Sequence, residues 1–251
     1  MIHSFLLIGQ SNMAGRGFLN EAPPVANDKV KVLRNGRWLK MFRPVNPDRS
    51  FSGVNLAEFF ADDYSKAHPD VEVGLIPCAD GGTRLDQWTV GGLLYDNAVN
   101  QARLAQRTST IAGVLWHQGE SDCADALYPL YRQKFELIME SLRKDLDLYD
   151  VPFLLGGLGD YLAEFSGPAI AGNYWRVNEQ LKDVANNNPM TGFVPAEGLK
   201  SNPDFLHFSA EALMEFGHRY YQVFEQLEDK NKVFHEKAEM DGAIRSAIEL
   251  L

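Results

Sequence analysis

The chain has only two cysteines, Cys78 and Cys123, in 251 residues. That is too few for a disulfide framework or a cysteine-built metal site, and a reducing interior is their simplest setting. No apolar run approaches the ~18 uninterrupted residues that a membrane-spanning helix requires. The opening residues, Met1-Ile2-His3-Ser4-Phe5, offer neither a basic stretch nor a long apolar one before a small-residue cleavage site. A soluble, cytoplasmic protein without a membrane partner is therefore expected. Positive charge is also scarce, with 24 Lys and Arg against 34 Asp and Glu and a net charge of -10. Phosphate binding needs clustered cations to displace counterions, so this balance argues against a nucleic-acid partner and suits a neutral small molecule better. Repeats and low-complexity tracts are missing, and nothing in the pattern fixes an oligomeric state.

What remains is a globular composition, 45% hydrophobic and 23% charged. Apolar, β-rich runs recur at 4–8, 29–33, 71–76, 111–116 and 152–155, and more weakly at 191–194. Between them lie stretches with helical spacing, such as Leu56, Phe59, Phe60, Tyr64 and Ala67, or Leu127, Tyr131, Phe135, Ile138 and Leu142. This alternation predicts a three-layer α/β/α fold, a doubly wound parallel sheet of about five strands with ligands at the carboxyl ends of the strands. One domain over residues 1–225 is expected, closed by a helix that starts near Ser209 and buries Leu213, Phe216, Tyr220 and Phe224. Residues 226–251 read as a charged, helical extension with a thin stripe of Val233, Ala238, Ala243 and Ile244.

Four segments at the expected strand ends carry polar chemistry. Gly9-Gln10-Ser11-Asn12 follows the first strand, where a serine would be exposed at the start of a helix, as an acyl-transfer nucleophile needs. The same residues also suit a plain helix cap. Ala79-Asp80-Gly81-Gly82-Thr83 frees backbone N–H groups to face an anion, or simply makes a tight turn. Trp116-His117-Gln118-Gly119-Glu120-Ser121-Asp122 packs hydrogen-bonding groups where burial makes them costly. There Gln118 can donate to an oxyanion, and Glu120 can hold His117, Arg84 or a substrate hydroxyl. His117, Glu120 and Asp122 also make a weak metal pattern. Finally, Asp204 stands three residues before His207, close enough to fix the imidazole tautomer or only to close a turn after Pro203.

Gly9-Gln10-Ser11-Asn12-Met13-Ala14-Gly15, Gly81-Gly82-Thr83, Trp116 to Asp122 and Asp204 to His207 occur in an order that resembles the SGNH (GDSL-like) hydrolases. Within them the chain is similar to the sialate O-acetylesterase and acetyl xylan esterase branch, carbohydrate esterase family six. The resemblance implies a flavodoxin-like SGNH-hydrolase fold with Ser11 as nucleophile and Asp204 and His207 as the rest of a triad. It further implies an oxyanion hole from the Ser11 N–H, the Gly81 N–H and the Gln118 side chain. Gln10, Gly82, Thr83, Arg84, His117 and Glu120, in the same segments, are expected as support or substrate contacts. Gln118 stands where the wider superfamily places asparagine, which agrees with the acetylesterase branch.

The expected reaction is two-step acyl transfer on acetylated sugars or xylooligosaccharides, with no metal or organic cofactor. His207 must be neutral to act as base, so activity should rise from acid toward neutral pH. Either Asp204 or Glu120 can be its acidic partner. Two rivals stay open: an esterase, thioesterase or transacylase on a non-carbohydrate ester, and a carbohydrate-binding module without chemistry. Trp88, Trp116 and Trp175 offer sugar-stacking faces or serve the core.

Overall fold

A computed structural model describes residues 1–248, with the backbone course alone at residue 230 and over 232–248. Seven strands form one sheet: β1 (Ile2–Gly9), β2 (Val30–Arg34), β3 (Arg37–Lys40), β4 (Glu72–Pro77), β5 (Thr110–His117), β6 (Phe153–Gly156) and β7 (Thr191–Val194). They lie in the order β3-β2-β4-β1-β5-β6-β7, all parallel except the edge strand β3, which runs antiparallel to β2. All six apolar runs are strands, and the sheet is larger than the expected five. Strand β3, the one outside those six runs, returns through the two-residue turn Asn35-Gly36, whose backbone φ angles of 49° and 74° suit a tight hairpin. Its Arg-Trp-Leu-Lys sequence has no buried residue, so it carries no apolar run to read.

Six α-helices accompany the sheet: α1 (Ser11–Ala14), α2 (Leu56–Ala67), α3 (Leu93–Gln106), α4 (Tyr131–Leu146), α5 (Pro168–Asn187) and α6 (Ala210–Ile248). Strand β1 shows why its sequence is apolar at successive positions. Phe5 and Leu7 enter one core with residues of α2 and α6, while Leu6 and Ile8 enter the other with residues of α3, α4 and α5. A strand covered on both faces needs no polar alternation. Helix α2 is fixed by a capping box: the Asn55 side chain accepts from the Ala57 N–H, and Glu58 accepts from the Asn55 N–H. Helix α4 begins later than expected, because Tyr128–Leu130, with Pro129 inside it, forms a separate 3-10 turn that leaves Leu127 outside.

Helix α6 opens one residue after Ser209, whose Oγ accepts from the Ala212 N–H, and buries Leu213, Phe216, Tyr220 and Phe224 as expected. It continues unbroken past residue 225 to Ile248. The packing of the Val233, Ala238, Ala243 and Ile244 stripe lies outside the described side chains. Among the described residues no helix is long and apolar enough to cross a membrane. Cys78 and Cys123 are free and buried. Connections leave β1 toward β2 and β4 on one side and leave β5 toward β6 and β7 on the other. The crevice between their carboxyl ends is thus the topological switch point, where open α/β sheets bind ligands.

Candidate active site

Strand β1 ends at Gly9 with φ of 132°, where an added Cβ would lie 2.1 Å from the His117 carbonyl oxygen. Only glycine permits that approach of β1 to β5. The chain then turns directly into α1, whose first residue is Ser11. The Gln10 Oε1 accepts from the N–H groups of Gly119 and Ser121, which ties this turn to the segment after β5. Ser11 was expected to be exposed; it is 7% exposed, hemmed in by the turn after β4 and the segment holding His207.

That segment runs from Ser201 to Phe208, which pair in an isolated bridge. Asn202 donates from its backbone to the His207 carbonyl at 2.7 Å and from its side chain to the Arg16 carbonyl at 2.9 Å. Asp204 does two jobs with one carboxylate. Its Oδ1 accepts from the Leu206 and His207 N–H groups, closing the turn, while its Oδ2 lies 2.7 Å from His207 Nδ1. Burial alone would raise the Asp204 pKa, but the bonds from His207 and Leu206 outweigh it and hold the carboxyl below its ordinary range. An ionised carboxylate only accepts, so the proton of a neutral His207 sits on Nδ1 and Nε2 is left to accept. His207 Nε2 lies 3.0 Å from Ser11 Oγ. Phe205, at φ of 52°, supplies the left-handed turn between Asp204 and His207, a conformation that costs about 1 kcal/mol for a residue with a Cβ.

Asn12, next to the serine, fastens the two halves of this arrangement. Fully buried, it accepts from the Phe208 N–H and donates to the Leu206 carbonyl, the residues on either side of His207. It also donates to Glu120 Oε1 at 2.5 Å. Glu120 therefore faces Asn12, with His117 Nε2 3.4 Å from the same oxygen, while Asp204 holds His207. Burial would raise the Glu120 pKa, but His117 and the hydrogen bonds around it bring it below the ordinary value. His117 is completely buried against the rings of Phe208 and Phe216.

On the other flank, an added Cβ on Gly81 would meet Arg16 Nη2 at 2.5 Å and Ser11 Cβ at 3.4 Å, so the Gly81 turn packs tightly beside the serine. The Gly81 N–H donates to Asp48 Oδ2, which also pairs with Arg16. The Gln118 amide is fully buried and donates to the Thr83 carbonyl at 3.0 Å and to Asp122 Oδ2 at 2.5 Å. Asp122 accepts in addition from the Leu85 N–H, and burial raises its pKa more than these bonds lower it. Among the described residues the Ser11 N–H has no acceptor, whereas both other expected oxyanion donors already have one. Thr83 is buried under the Trp88 N–H, Gly82 is open at φ of 76°, and Arg84 is exposed at the start of a 3-10 turn. No three His, Cys, Asp or Glu residues group as metal ligands among the described residues.

A cleft of about 580 Å3 opens beside His207 and Asp204, walled by Arg16, Phe18, Leu19 and Phe51. Sequence reading gave no sign of these walls, since the loops over 16–20 and 50–53 have no periodicity. Of the tryptophans named as stacking candidates, Trp88 and Trp116 belong to the core and Trp175 is exposed on α5.

A doubly wound α/β/α sheet with a Ser–His–Asp hydrogen-bonded chain at its switch point is the arrangement expected of a serine ester hydrolase. The family model described as carbohydrate esterase, sialic acid-specific acetylesterase matches residues 1–226, and the chain belongs to that family. A probable carbohydrate esterase of Arabidopsis thaliana is 30% identical over 242 residues, which cover 88% of this chain and 89% of that one. A solved structure of an Arabidopsis thaliana protein superposes with a TM-score of 0.79 at 28% identity, covering 89% of this chain and 98% of the other. The crystal structure of NanS gives 0.75 at 19% identity, covering 91% and 98%, and so shares the fold.

Proposed function

We propose that this esterase removes acetyl groups from carbohydrates through a Ser11–His207–Asp204 triad. The observation that carries the reading is the continuous chain from Ser11 Oγ to His207 Nε2 at 3.0 Å and from His207 Nδ1 to Asp204 Oδ2 at 2.7 Å. His207 takes the Ser11 proton as the oxygen attacks the acetyl carbonyl, and the imidazolium then protonates the departing sugar oxygen. Water attacks the acetyl-serine with His207 again as base, releasing acetate and restoring the hydroxyl. Asp204 keeps its charge throughout and steadies the imidazolium. The Ser11 N–H, which has no acceptor among the described residues, is the first donor to the tetrahedral oxyanion. Gly81 and Gln118 join it by exchanging Asp48 and Asp122 for the oxyanion. Rapid quenching of the enzyme during turnover of an acetylated xylooligosaccharide, followed by peptide mass analysis, should find the acetyl group on Ser11. Acetyl on another residue, or turnover persisting in a folded Ser11→Ala variant, overturns the proposal.

A further inference from the structure

The triad reading fixes which half of the ester lies on which side of the serine, and the role of the neighbouring cleft rests on that reading. His207 Nε2 hands its proton to the departing alcohol oxygen, so the alcohol half sits on the His207 side of Ser11. The cleft that opens there has His207 and Asp204 in its wall and a volume of about 580 Å3, ample for a sugar and far more than an acetyl group needs.

Its walls have a definite chemistry. Phe51 is 67% exposed, Leu19 50% and Phe18 47%, three large apolar side chains around one concavity. Such side chains grouped in a concave site suit a ligand with an apolar face. The Arg16 guanidinium lies 5.2 Å from the centre of the Phe51 ring and backs it, which leaves the rest of the ring open.

Among the described residues Arg16 is the one Lys or Arg in the cleft wall, and its terminal nitrogens are already engaged while its buried Nε has no partner. Its terminal nitrogens donate to Asp48 Oδ1 at 3.0 Å, to Asp48 Oδ2 at 2.7 Å and to the Gly15 carbonyl at 2.9 Å. Asp48 is as buried as its partner, each side chain 4% exposed. Burial would raise the Asp48 pKa, but Arg16, Ser52 and the Gly81 N–H outweigh it, so the carboxylate stays charged. A substrate carboxylate could take those terminal nitrogens only by displacing the buried Asp48 carboxylate from them, leaving it the Ser52 hydroxyl, the Gly81 N–H and Arg49 at 3.9 Å, which is unfavourable. The other charged wall residue is Asp204, an anion.

We infer that this cleft is the subsite for the alcohol half of the substrate, and that it takes a neutral sugar ring stacked on Phe51 and Phe18 in preference to a carboxylated sugar. The C–H face of a pyranose meets the rings, and among the described residues the wall offers no unpaired Lys or Arg to offset a sugar carboxylate.

The test compares kcat/KM on three esters: an acetylated neutral xylooligosaccharide, an O-acetylated sialic acid, and methyl acetate, whose alcohol half is too small to use the cleft. Wild type should favour the neutral sugar over the sialic acid by at least ~10-fold. Phe51→Ala should lower kcat/KM on the neutral sugar about tenfold more than on methyl acetate, chiefly through KM, and Phe51→Trp should restore it. Equal or faster cleavage of the sialic acid ester overturns the inference, as does a Phe51→Ala loss of equal size on neutral sugar and methyl acetate. In both of those cases the esterase reading survives, because methyl acetate is still cleaved through Ser11. Failure of wild type on all three esters removes the esterase reading and this inference with it.

Discussion

At the scale of single residues, the two candidate acids around His207 are separated by what each carboxylate touches. Asp204 faces His207 Nδ1, and Glu120 faces Asn12 and His117. Asp204→Asn should therefore lower kcat by about a thousandfold or more and move the acid limb of the pH–rate profile to lower pH, because the imidazolium loses its counter-charge. Glu120→Gln keeps a carbonyl for Asn12, so it should leave that limb in place and cost less than about tenfold in rate. Profiles from about pH 5 to 8 compare the two, and a shifted limb in Glu120→Gln would reverse the assignment. In both profiles the rate rises with pH, since the base is the neutral imidazole. Asp48 makes a separate prediction in stability. Its folded pKa is depressed, so its contribution is present above the ordinary carboxylate value and is lost as pH falls through the folded value. Asp48→Asn should cost about 3 kcal/mol near neutral pH by leaving the buried Arg16 charge unpaired. In urea unfolding the gap to wild type should narrow below about pH 4, and a gap independent of pH would contradict the pairing.

At the scale of elements, close backbone approaches decide what the sequence tolerates. An added Cβ on Gly217 of α6 would lie 2.4 Å from the Leu56 carbonyl oxygen and 2.8 Å from Phe59 Cβ, both on α2. Glycine to alanine within a helix is ordinarily worth up to about 1 kcal/mol in favour of alanine. Here the overlap is with backbone and outweighs that gain, so Gly217→Ala should destabilise by about 1–3 kcal/mol in chemical denaturation. A stabilised variant would mean that α2 and α6 are further apart than described. The same elements show what sequence could tell. Doubly buried strands were legible because they are apolar without interruption, and α2 because its apolar face repeats every three to four residues. Strand β3 was not, since its side chains are exposed or half-buried and its signal was the short Asn35-Gly36 turn. The start of α4 was misjudged because Leu127 keeps the helical spacing although Pro129 puts the chain into a 3-10 turn.

At the scale of the whole molecule, the fold brings together residues 196 positions apart: Ser11 at the end of the first strand and His207 just ahead of the last helix. Strand-end position and residue type made Ser11, Asp204 and His207 candidates, and the resemblance to the acetylesterase branch gave them their triad roles. They gave no hint of Asp48, Phe18 or Phe51, which reach the site from loops whose sequence carries no period and whose placement depends on tertiary packing. The family match covers residues 1–226, and the site lies wholly within it. A chain ending after Asp229 should accordingly fold and keep kcat/KM within about twofold of the full chain, since large losses follow from disturbing the site or the core. Loss of activity on that truncation would assign the remainder of α6 a part in the active molecule. The central claim is nucleophilic catalysis by Ser11, and acetate release from an acetylated xylooligosaccharide tests it most directly when wild type is run beside a folded Ser11→Ala variant. Nucleophilic catalysis predicts release by wild type and a loss of at least ~1,000-fold in the variant; equal rates in the two proteins would contradict it.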